Sequence, residues 1–457
     1  MKRVDVAIVG GGPAGTCAAM EAAYHGADAL VLEKGVPRAD REGLGPDSTD
    51  AAGMLDYWVD IMDFDPDEFP EGIVLQELDA VDFVGPTETT TLRSTGIDSS
   101  YDRFGYTFQR ARMDDWLREQ AEEEGATYEV GVSVKSVDSD LDSEYRHTVH
   151  LADGEDVEAR YLVLADGPQR TVTIPTLDQF MPEGKSVSDV MSPPTANHIA
   201  YQEHREVPEE VFEETHLKFW WGWMPGETAY PWIFPNDGNV ARIGLTMPIG
   251  MTLDDVEDPD GYRLLDPEDE SLPRAGEYIR RLLEIEYGDE YDIEEDFPLV
   301  ENRGKSGGTE TYPISSTKPI ESPTGAGIAV AGGAMGTTSA FHEGGYHVAC
   351  RTGKIAGRLA AVDSLDRYNE VWRNTIGDEL LRNVTFADIV AEYGPDDWDK
   401  TFQMTNKLIS DGSDGSLIKS RLSGGLSGMK LLAKYKRTKR SLRKNGYVKL
   451  TEDDYTV

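Results

Sequence analysis

A glycine-rich turn near the N-terminus constrains the fold of this chain more than any other stretch. Residues 4–9 form a short apolar run, and the turn GGGPAG and a segment with helical spacing follow it. A second apolar run ends at Glu33, eighteen residues beyond the last glycine of the turn. The glycines of this G-x-G-x-x-G pattern are Gly10, Gly12 and Gly15. A strand, such a turn, a helix and a second strand ending in an acid are typical of a dinucleotide-binding βαβ unit.

Each part of this pattern has a physical role. The first glycine permits the tight turn, the second lets the backbone approach a pyrophosphate, and the third lets the helix pack on the strand. The predicted helix runs from Ala14 to Tyr24, directly after Pro13, and its N-terminus carries a partial positive charge that favours phosphate. Glu33 is expected to accept hydrogen bonds from the adenosine ribose. The pattern therefore predicts an α/β protein with a parallel sheet.

The rest of the chain divides by composition into further segments. We predict a Rossmann-like dinucleotide-binding domain with an inserted β-rich substrate domain and a helical C-terminal region. The predicted bounds are 1–174 and 321–363 for the dinucleotide-binding domain, 175–320 for the substrate domain, 364–418 for the helical region and 419–457 for a basic amphipathic tail. The inserted segment is rich in aromatic residues and prolines, and its short apolar runs favour strands.

The chain is strongly acidic, with 85 acidic and 44 basic residues and a formal net charge of −41. A folded surface with such a charge is expected in a cytoplasm at molar salt, where self-repulsion is screened. Two cysteines and eight histidines show no metal-ligand spacing, so we predict no metal site. We expect a cytoplasmic protein, because the chain starts directly on a strand and has no run of 18 uncharged apolar residues.

The predicted tail has the opposite charge. Between Lys419 and Lys449 there are eleven Lys and Arg residues and no acid. Leucines and one tyrosine recur among them at near-helical spacing. We predict that this segment lies on the anionic inner face of the cell membrane as a peripheral helix. The alternative is a solvated charged face.

The glycine pattern resembles that of FAD-binding proteins of the glutathione-reductase and hydroxybenzoate-hydroxylase type, and three further segments strengthen the resemblance. FQRARMDDWL is similar to the stretch whose arginine reaches FAD, LVLADGP to an Ala-Asp-Gly motif near the cofactor, and GIAVAGGAMG to a second FAD fingerprint. The resemblance implies FAD as cofactor and implies the contacts Lys34, Arg110, Val134, Asp166, Gly167, Gly332, Gly333, Ala334, Gly344 and Gly345. Gly333 replaces the aspartate that binds the ribityl chain in that family.

An aromatic string resembles a second, narrower family. Tyr230-x-Trp232-x-Phe234-Pro235 is similar to the YxWxFP motif of geranylgeranyl reductases, which are FAD enzymes that saturate prenyl double bonds. The resemblance implies that these residues, with Trp221 and Trp223, line a substrate tunnel. A prenyl chain has no polar handle, so apolar rings suit such a tunnel. The alternative is that the rings only pack a core.

The proton donor of such a reaction has several candidates. Members of the family often carry a cysteine in a loop over the flavin, and here the similar segment is DREGL. Asp40, Arg41 and Glu42 of this segment are therefore catalytic candidates, beside a role in shaping the loop. His342 and His347 are further candidates, because both flank a glycine turn before a predicted helix, and a structural role is the alternative for each.

Several functions are compatible with these motifs. The main hypothesis is a membrane-associated reductase of isoprenoid lipids, with NAD(P)H or a ferredoxin as the electron donor. The alternatives are an electron-transfer oxidoreductase of the electron-transfer-flavoprotein:quinone type, a flavin monooxygenase or halogenase, and a membrane adaptor without cofactor. The feature that favours a halogenase is the stretch WGWMP, which is similar to a motif of flavin-dependent halogenases but is one residue shorter.

Overall fold

The computed structural model describes residues 1–37, 53–191, 197–304, 306–315, 317–410 and 425–457, apart from the side chains at 408, 410 and 425–429. Its strands are β1 (Lys2–Val9), β2 (Ala29–Glu33), β3 (Gly53–Leu55), β4 (Val74–Leu78), β5 (Ala80–Val84), β6 (Thr89–Leu92), β7 (Gly105–Phe108), β8 (Thr127–Val130), β9 (Val134–Ser139), β10 (His147–Leu151), β11 (Asp156–Leu164), β12 (His198–Glu206), β13 (His216–Trp220), β14 (Tyr230–Pro235), β15 (Val240–Pro248), β16 (Thr309–Ile314) and β17 (Ile328–Val330). Its α-helices are α1 (Pro13–Tyr24), α2 (Trp58–Met62), α3 (Arg110–Glu123), α4 (Thr173–Asp178), α5 (Ala275–Tyr287), α6 (Ile293–Asp296), α7 (Tyr346–Ala361), α8 (Tyr368–Val390), α9 (Pro395–Ser410) and α10 (Gly425–Asn445).

The first sheet carries the predicted βαβ unit. Its strand order is β8-β2-β1-β11-β10-β9, and β17 pairs with β11 beside this path. Strand β1 is parallel to β2 and β11, and its last four residues are buried, as expected for a central strand covered by helices on both faces. The predicted α/β class with a Rossmann-like domain is therefore confirmed.

The second sheet has the order β16-β12-β15-β14-β13-β5-β6 and contains the aromatic string in β14. Most of its strands come from the predicted insertion at 175–320. Strands β5 and β6 come instead from the segment predicted as FAD-binding, because residues 80–84 pair in parallel with residues 216–220. The single boundary predicted at residue 175 is therefore corrected: the chain contributes to this sheet twice.

Helices α1 and α7 cross in direct backbone contact. A Cβ atom added to Gly353 would lie 2.0 Å from the carbonyl oxygen of Ala14, and one added to Gly357 would lie 1.9 Å from that of Ala18. The two glycines lie four residues apart and face α1. This close packing joins the N-terminal βαβ unit to the chain that returns after the substrate sheet.

The described part of the predicted basic tail, from residue 425, packs on the protein through one face of a helix. In α10, Leu442 is buried beside α8, and the ring centroids of Tyr435 and Phe386 are 5.1 Å apart. Lys439 and Arg443 both pair with Asp378 of α8, at 2.9 and 2.7 Å. The apolar stripe of α10 therefore covers α8, because an amphipathic helix buries its apolar face on whichever surface is next to it.

The last residues return to the first domain. The backbone N–H of Lys449 donates to the carbonyl oxygen of Pro319 at 2.8 Å, and Leu450 forms a β-bridge with Ile320. The buried ring of Tyr455 donates its hydroxyl hydrogen to the carbonyl oxygen of Glu321 at 2.8 Å. The C-terminal segment is thus part of the core. No helix in the described ranges has the length and apolarity that a membrane crossing needs.

Candidate functional site

The glycine turn after β1 forms a cradle at the start of α1. Gly10 has a φ of +100°, and a Cβ there would lie 2.4 Å from the carbonyl oxygen of Ala165. A Cβ on Gly15 would lie 1.8 Å from the carbonyl oxygen of Gly10, whereas one on Gly12 would meet no atom within 4 Å. Glycine is therefore required at two of the three positions, and open space lies in front of the third.

The residues around this cradle fit a dinucleotide. Helix α1 begins at Pro13 with no side-chain cap, so its first backbone N–H groups face the open space beside Gly12. Glu33 ends β2 next to it and accepts a hydrogen bond from the Gly11 N–H at 2.5 Å. Uncapped amides suit a pyrophosphate, and the carboxylate suits a ribose diol. The observed cradle thus matches the cofactor that the motif predicts.

Two residues outside the sequence motifs also contact the end of β2. The N–H groups of Gly131 and Val132 donate to the carbonyl oxygens of Gly35 and Glu33, both at 3.1 Å. The predicted contact Val134 lies two residues further on, in β9. Lys34 is exposed beside Glu33. The only sequence signal for the missed pair is the glycine directly after the short strand β8.

The second fingerprint packs against the start of α1, beside the first fingerprint. Gly332 has a φ of +61°, and a Cβ there would lie 2.8 Å from the Cβ of Ala14. Its N–H donates to the hydroxyl oxygen of Thr352 in α7 at 3.0 Å. The predicted contact Gly332 therefore lies beside the start of α1, whereas a Cβ on the next residue, Gly333, would lie 3.3 Å from Pro168.

A buried arginine donates hydrogen bonds to the backbone of this fingerprint. Arg170 is 1% exposed, and its guanidinium donates to the carbonyl oxygens of Gly333 at 3.1 Å, Ala334 at 2.8 Å and Pro168 at 2.8 Å, and to the Ser315 hydroxyl. Burial lowers the pKa of Arg170 to about 10, against the opposing charge of Asp166. No sequence pattern around Arg170 predicts its burial.

Asp166 has a structural role in the described chain. Its carboxylate accepts hydrogen bonds from the N–H groups of Val172 at 2.7 Å and Thr173 at 3.1 Å, and from the Thr173 hydroxyl. These bonds begin helix α4. Gly167 follows with a φ of +77° and open space around it. A direct cofactor contact by Asp166 remains a prediction. Both oxygens of its carboxylate already accept hydrogen bonds from Val172 and Thr173 at the start of α4.

Arg110 lies where α3 begins and reaches the start of α7. Its Nε donates to both carboxylate oxygens of Asp114, at 2.8 and 2.9 Å, and its guanidinium lies 4.8 Å from the ring centroid of Tyr346. Helix α7 begins at Tyr346 after Gly344 and Gly345, with no side-chain cap. Its open backbone N–H groups suit the polar edge of a bound flavin.

The predicted substrate residues do not all lie on one side of the second sheet. Tyr230, Trp232 and Phe234 alternate along β14 and share one face, where they are 4%, 4% and 7% exposed. Trp221 joins them by stacking on Tyr230, with ring centroids 4.3 Å apart. Pro235 ends the strand, and its carbonyl oxygen accepts a 2.7 Å hydrogen bond from Thr107.

Trp223 belongs to a different core, and its inclusion in the substrate wall is corrected. Its ring packs with α5 in the cluster that contains Trp220, and its indole N–H donates to the carbonyl oxygen of Gly85 at 2.9 Å. Gly222, with a φ of +76°, separates Trp221 from Trp223 and turns the chain between the two cores. The spacing of the tryptophans alone does not show this turn.

The loop before α7 is tied to the aromatic strand. The Tyr230 hydroxyl donates to the carbonyl oxygen of His342 at 2.7 Å. The next residue, Glu343, has a φ of +56° and pairs with His198 Nδ1 at 3.2 Å. The Thr228 hydroxyl also donates to Glu343 at 3.2 Å. The aromatic face and the glycine turn of α7 therefore form one connected site.

His342 is a weak candidate for proton delivery. Its Nδ1 accepts from the Gly344 N–H at 3.2 Å, which leaves the hydrogen of the neutral ring on Nε2. Burial, assisted by nearby His347, lowers the pKa of His342 to about 4. The imidazolium form is therefore scarce at neutral pH. His347 stacks on Trp58 and bonds to Glu379 at 2.7 Å. Asp40, Arg41 and Glu42 lie outside the described residues.

One group of three possible metal ligands occurs in the described chain, away from these motifs. Ligand atoms of Asp82, Glu213 and His216 lie within 4.8 Å of one another. His216 and Asp82 already share a 2.8 Å hydrogen bond, and the ammonium of Lys218 pairs with Glu213 at 2.8 Å. Since a lysine neutralises this group, we assign it no metal.

Comparisons with known proteins give a matching family model and named relatives. A family model described as FAD binding domain matches residues 5–65. A digeranylgeranylglycerophospholipid reductase of Methanopyrus kandleri is 26% identical over 408 residues, covering 85% of this chain and 87% of the relative. A protein of the same name from Methanothermobacter thermautotrophicus is 26% identical over 435 residues, covering 91% and 96%.

Solved structures share the fold. A geranylgeranyl bacteriochlorophyll reductase-like protein of Thermoplasma acidophilum superposes with a TM-score of 0.66 at 18% identity, over 97% of this chain and 99% of that chain. The flavin-dependent brominase Bmp2 has a TM-score of 0.59 at 15% identity, over 95% and 100%. Motifs, relatives and fold agree: the chain is a FAD-dependent oxidoreductase that is similar to digeranylgeranylglycerophospholipid reductases over most of its length.

Proposed function

We propose that this protein saturates double bonds in the isoprenoid chains of a membrane lipid or of its precursor. The observation that carries the proposal is the aromatic face of β14 joined to the loop before α7 by the Tyr230–His342 hydrogen bond. The named reductases of the two methanogens support the same substrate class.

The residues of the chain have separate tasks in this reaction. FAD, when bound and reduced, supplies a hydride to one carbon of an isoprenoid double bond. The glycine cradle and Glu33 would hold its nucleotide end, and the uncapped start of α7 would offer backbone N–H groups to its polar ring edge. The rings of Tyr230, Trp232 and Phe234 exclude water and hold the apolar chain in line, which an unactivated alkene needs.

A proton must reach the second carbon of the double bond. His342 is neutral over the physiological range because burial lowers its pKa to about 4. Asp40, Arg41 and Glu42 remain the other proposed donors, together with water. We propose NAD(P)H or a ferredoxin as the source of electrons.

We also propose that the protein works at high salt on the inner face of the membrane. Helix α10 buries its apolar stripe on α8 but exposes a row of cations on its outer side: Lys430, Lys436, Arg437, Arg440 and Lys444. These suit anionic lipid head groups. Removing them by charge reversal should release the protein from anionic vesicles, and unchanged vesicle binding would refute this contact.

The reductase proposal is tested by product analysis. FAD-loaded protein reduced with dithionite under argon is incubated with a geranylgeranyl phospholipid, and the lipid is analysed by mass spectrometry. We expect the lipid to gain two hydrogens per double bond reduced, and a Trp232→Ala variant that retains FAD to form much less product. An unchanged lipid, with flavin that instead reduces a quinone, would favour the electron-transfer alternative.

A further inference from the structure

A buried carboxyl group lies in the loop before α7 and is held there at the cost of backbone strain. The side chain of Glu343 is 3% exposed, and its hydrogen-bond donor Thr228 is 5% exposed. Both residues have a left-handed backbone, with φ of +56° and +52°, which residues with a Cβ rarely adopt and a β-branched residue still less. The Glu343 N–H donates to the carbonyl oxygen of Ser339 at 3.0 Å and closes the loop. Two strained residues that bond to each other are typical of a functional site.

The contacts of this carboxyl group indicate that it carries a hydrogen. Its Oε1 accepts from the Thr228 hydroxyl at 3.2 Å and lies 3.2 Å from His198 Nδ1. The amide nitrogen of Asn197, which can only donate, lies 2.8 Å from the same Nδ1. A ring nitrogen that accepts from Asn197 has no hydrogen of its own, so the hydrogen between Nδ1 and Oε1 belongs to the carboxyl group. Burial lowers the pKa of His198 to about 4, which agrees with a neutral ring.

A cavity of about 410 Å³ connects this carboxyl group with solvent. Its lining includes Thr228 and His198, the two residues that contact Oε1 of Glu343. Glu227 and Asp388 also line it and are solvent-exposed, so the cavity is open to water. A polar cavity of this size has room for water molecules. Protons from solvent can therefore reach Oε1 through the Thr228 hydroxyl.

The same loop reaches the proposed reaction site. The carbonyl oxygen of His342, the residue before Glu343, accepts the hydroxyl hydrogen of Tyr230 at 2.7 Å. Gly344 and Gly345 follow Glu343 directly and precede the uncapped start of α7. The second carboxyl oxygen of Glu343, Oε2, is fully buried. The carboxyl group thus lies where the solvent-connected cavity meets the junction between the aromatic face and the turn proposed to face the flavin.

We propose that Glu343 delivers the proton that the reduction requires, that Thr228 relays its replacement from the cavity, and that His198 positions the carboxyl group. The inference rests on the proposed function and names its proton donor. As the π bond breaks, two C–H bonds form: one carbon takes the hydride that reduced FAD supplies, and the other takes the carboxyl proton of Glu343. The Thr228 hydroxyl then passes a proton from cavity water to the carboxylate, so each double bond consumes one hydride and one solvent proton.

The first test follows flavin reoxidation in a single turnover. FAD-loaded protein reduced with dithionite under argon is mixed with a geranylgeranyl phospholipid, or with a soluble quinone, whose oxygens take protons from water. We expect Glu343→Gln to slow reoxidation by the lipid at least about 100-fold, the usual contribution of a general acid, and to leave FAD content and reoxidation by the quinone unchanged. Glu209→Gln, at an exposed glutamate of the same sheet domain, is the matched control and should change neither rate.

A second pair of variants tests the relay without touching the acid. Thr228→Val keeps the shape of the side chain but removes its hydroxyl, and should slow reoxidation by the lipid about tenfold, as for one lost hydrogen bond. Thr228→Ser restores the hydroxyl and should restore most of the rate. A rate with Thr228→Ser as low as that with Thr228→Val would overturn the relay.

A third measurement does not depend on activity. Infrared difference spectra between the oxidised wild-type protein and Glu343→Gln at neutral pH should show the carbonyl stretch of a protonated carboxyl group in the wild type alone. Absence of this band would overturn the assignment, because Glu343 would then have no proton to give.

The rates separate this role from the proposed function. Equal lipid rates in the wild type and Glu343→Gln would overturn the role of Glu343 and leave the reductase intact. Equal slowing with lipid and quinone would also overturn it, because the variant would then have damaged the site as a whole. A wild-type protein that reduces no lipid would refute the reductase, and with it the role of Glu343, whether or not the infrared band is present.

Discussion

The hydroxyl of Tyr230 donates a hydrogen bond to the carbonyl oxygen of His342, and 2.7 Å separates the two oxygen atoms. This bond joins the central aromatic strand of the second sheet to the loop that leads into α7. It therefore connects the surface proposed to hold a prenyl chain with the turn proposed to face the flavin. The two bonded residues lie more than a hundred positions apart in the sequence.

Removing this hydroxyl should loosen the connection without removing the ring. We expect Tyr230→Phe to lower the free energy of unfolding by about 1 kcal/mol, as for a typical lost hydrogen bond. Prenyl-lipid turnover should fall several-fold at unchanged FAD content, measured by flavin absorbance per polypeptide. Tyr24→Phe, at a tyrosine that is 68% exposed, serves as the control. Loss of FAD together with turnover would mean that the bond supports cofactor binding alone.

The position of Trp232 depends on a glycine in the neighbouring strand. A Cβ on Gly244 would lie 2.6 Å from the Trp232 ring and 2.7 Å from the Cβ of Gln202. Gly244→Ala should therefore displace the ring and destabilise the protein by about 1–3 kcal/mol. Thermal unfolding and lipid turnover measure the two effects. Gly394→Ala, whose Cβ would meet no atom within 4 Å, should change neither. An unaltered melting temperature for Gly244→Ala would show that the ring can move freely.

The crossing of α1 and α7 requires a glycine at 357. We expect Gly357→Ala to force the helices apart, because its Cβ would meet backbone at 1.9 Å, and to lower both folded yield and bound FAD. A destabilisation above about 3 kcal/mol is expected for such overpacking. Gly276→Ala in α5 is the control, since its nearest atom would be 3.4 Å away. Normal FAD content in Gly357→Ala would contradict this packing.

Buried histidines should make the protein sensitive to mild acid. Burial lowers the pKa of His147, His198 and His342 to about 4 and that of His204 to about 3. The unfolded chain takes up these protons near pH 6.5, whereas the folded chain does not. The stability is therefore complete above pH 6.5 and is lost as the pH falls toward 4.

Urea unfolding at pH 7.5, 6.0 and 5.0, at constant salt, measures this loss. We expect the free energy of unfolding to fall by on the order of several kcal/mol between the first and the last pH. His204→Gln should make the fall smaller, while His25→Gln, at an exposed histidine, should leave it unchanged. A constant stability over this range would show that these rings are protonated in the folded protein.

The sequence predicted those parts of the fold and site that depend on neighbouring residues. The Gly10–Gly15 cradle and Glu33 lie in one continuous βαβ unit, so spacing alone describes them. The alternation of Tyr230, Trp232 and Phe234 likewise predicts one shared face of a strand.

Other features depend on contacts between distant segments and could not be predicted. The pairing of residues 80–84 with 216–220 joins chain segments across more than a hundred residues. Arg170 is buried because Gly333 and Ala334, more than 160 residues later in the sequence, pack against its guanidinium. Helix α10 has the amphipathic pattern of a membrane-surface helix, but the same pattern also suits packing on α8, and only the fold decides between them.

Flavin reoxidation under anaerobic conditions tests the central claim most directly. The FAD-loaded protein is reduced with one equivalent of dithionite and mixed in a stopped-flow instrument with a geranylgeranyl phospholipid, and in a parallel experiment with a quinone. We expect the oxidised-flavin absorbance to return with the lipid, at a rate that Tyr230→Phe lowers. A flavin that stays reduced with the lipid but is reoxidised rapidly by the quinone would contradict it.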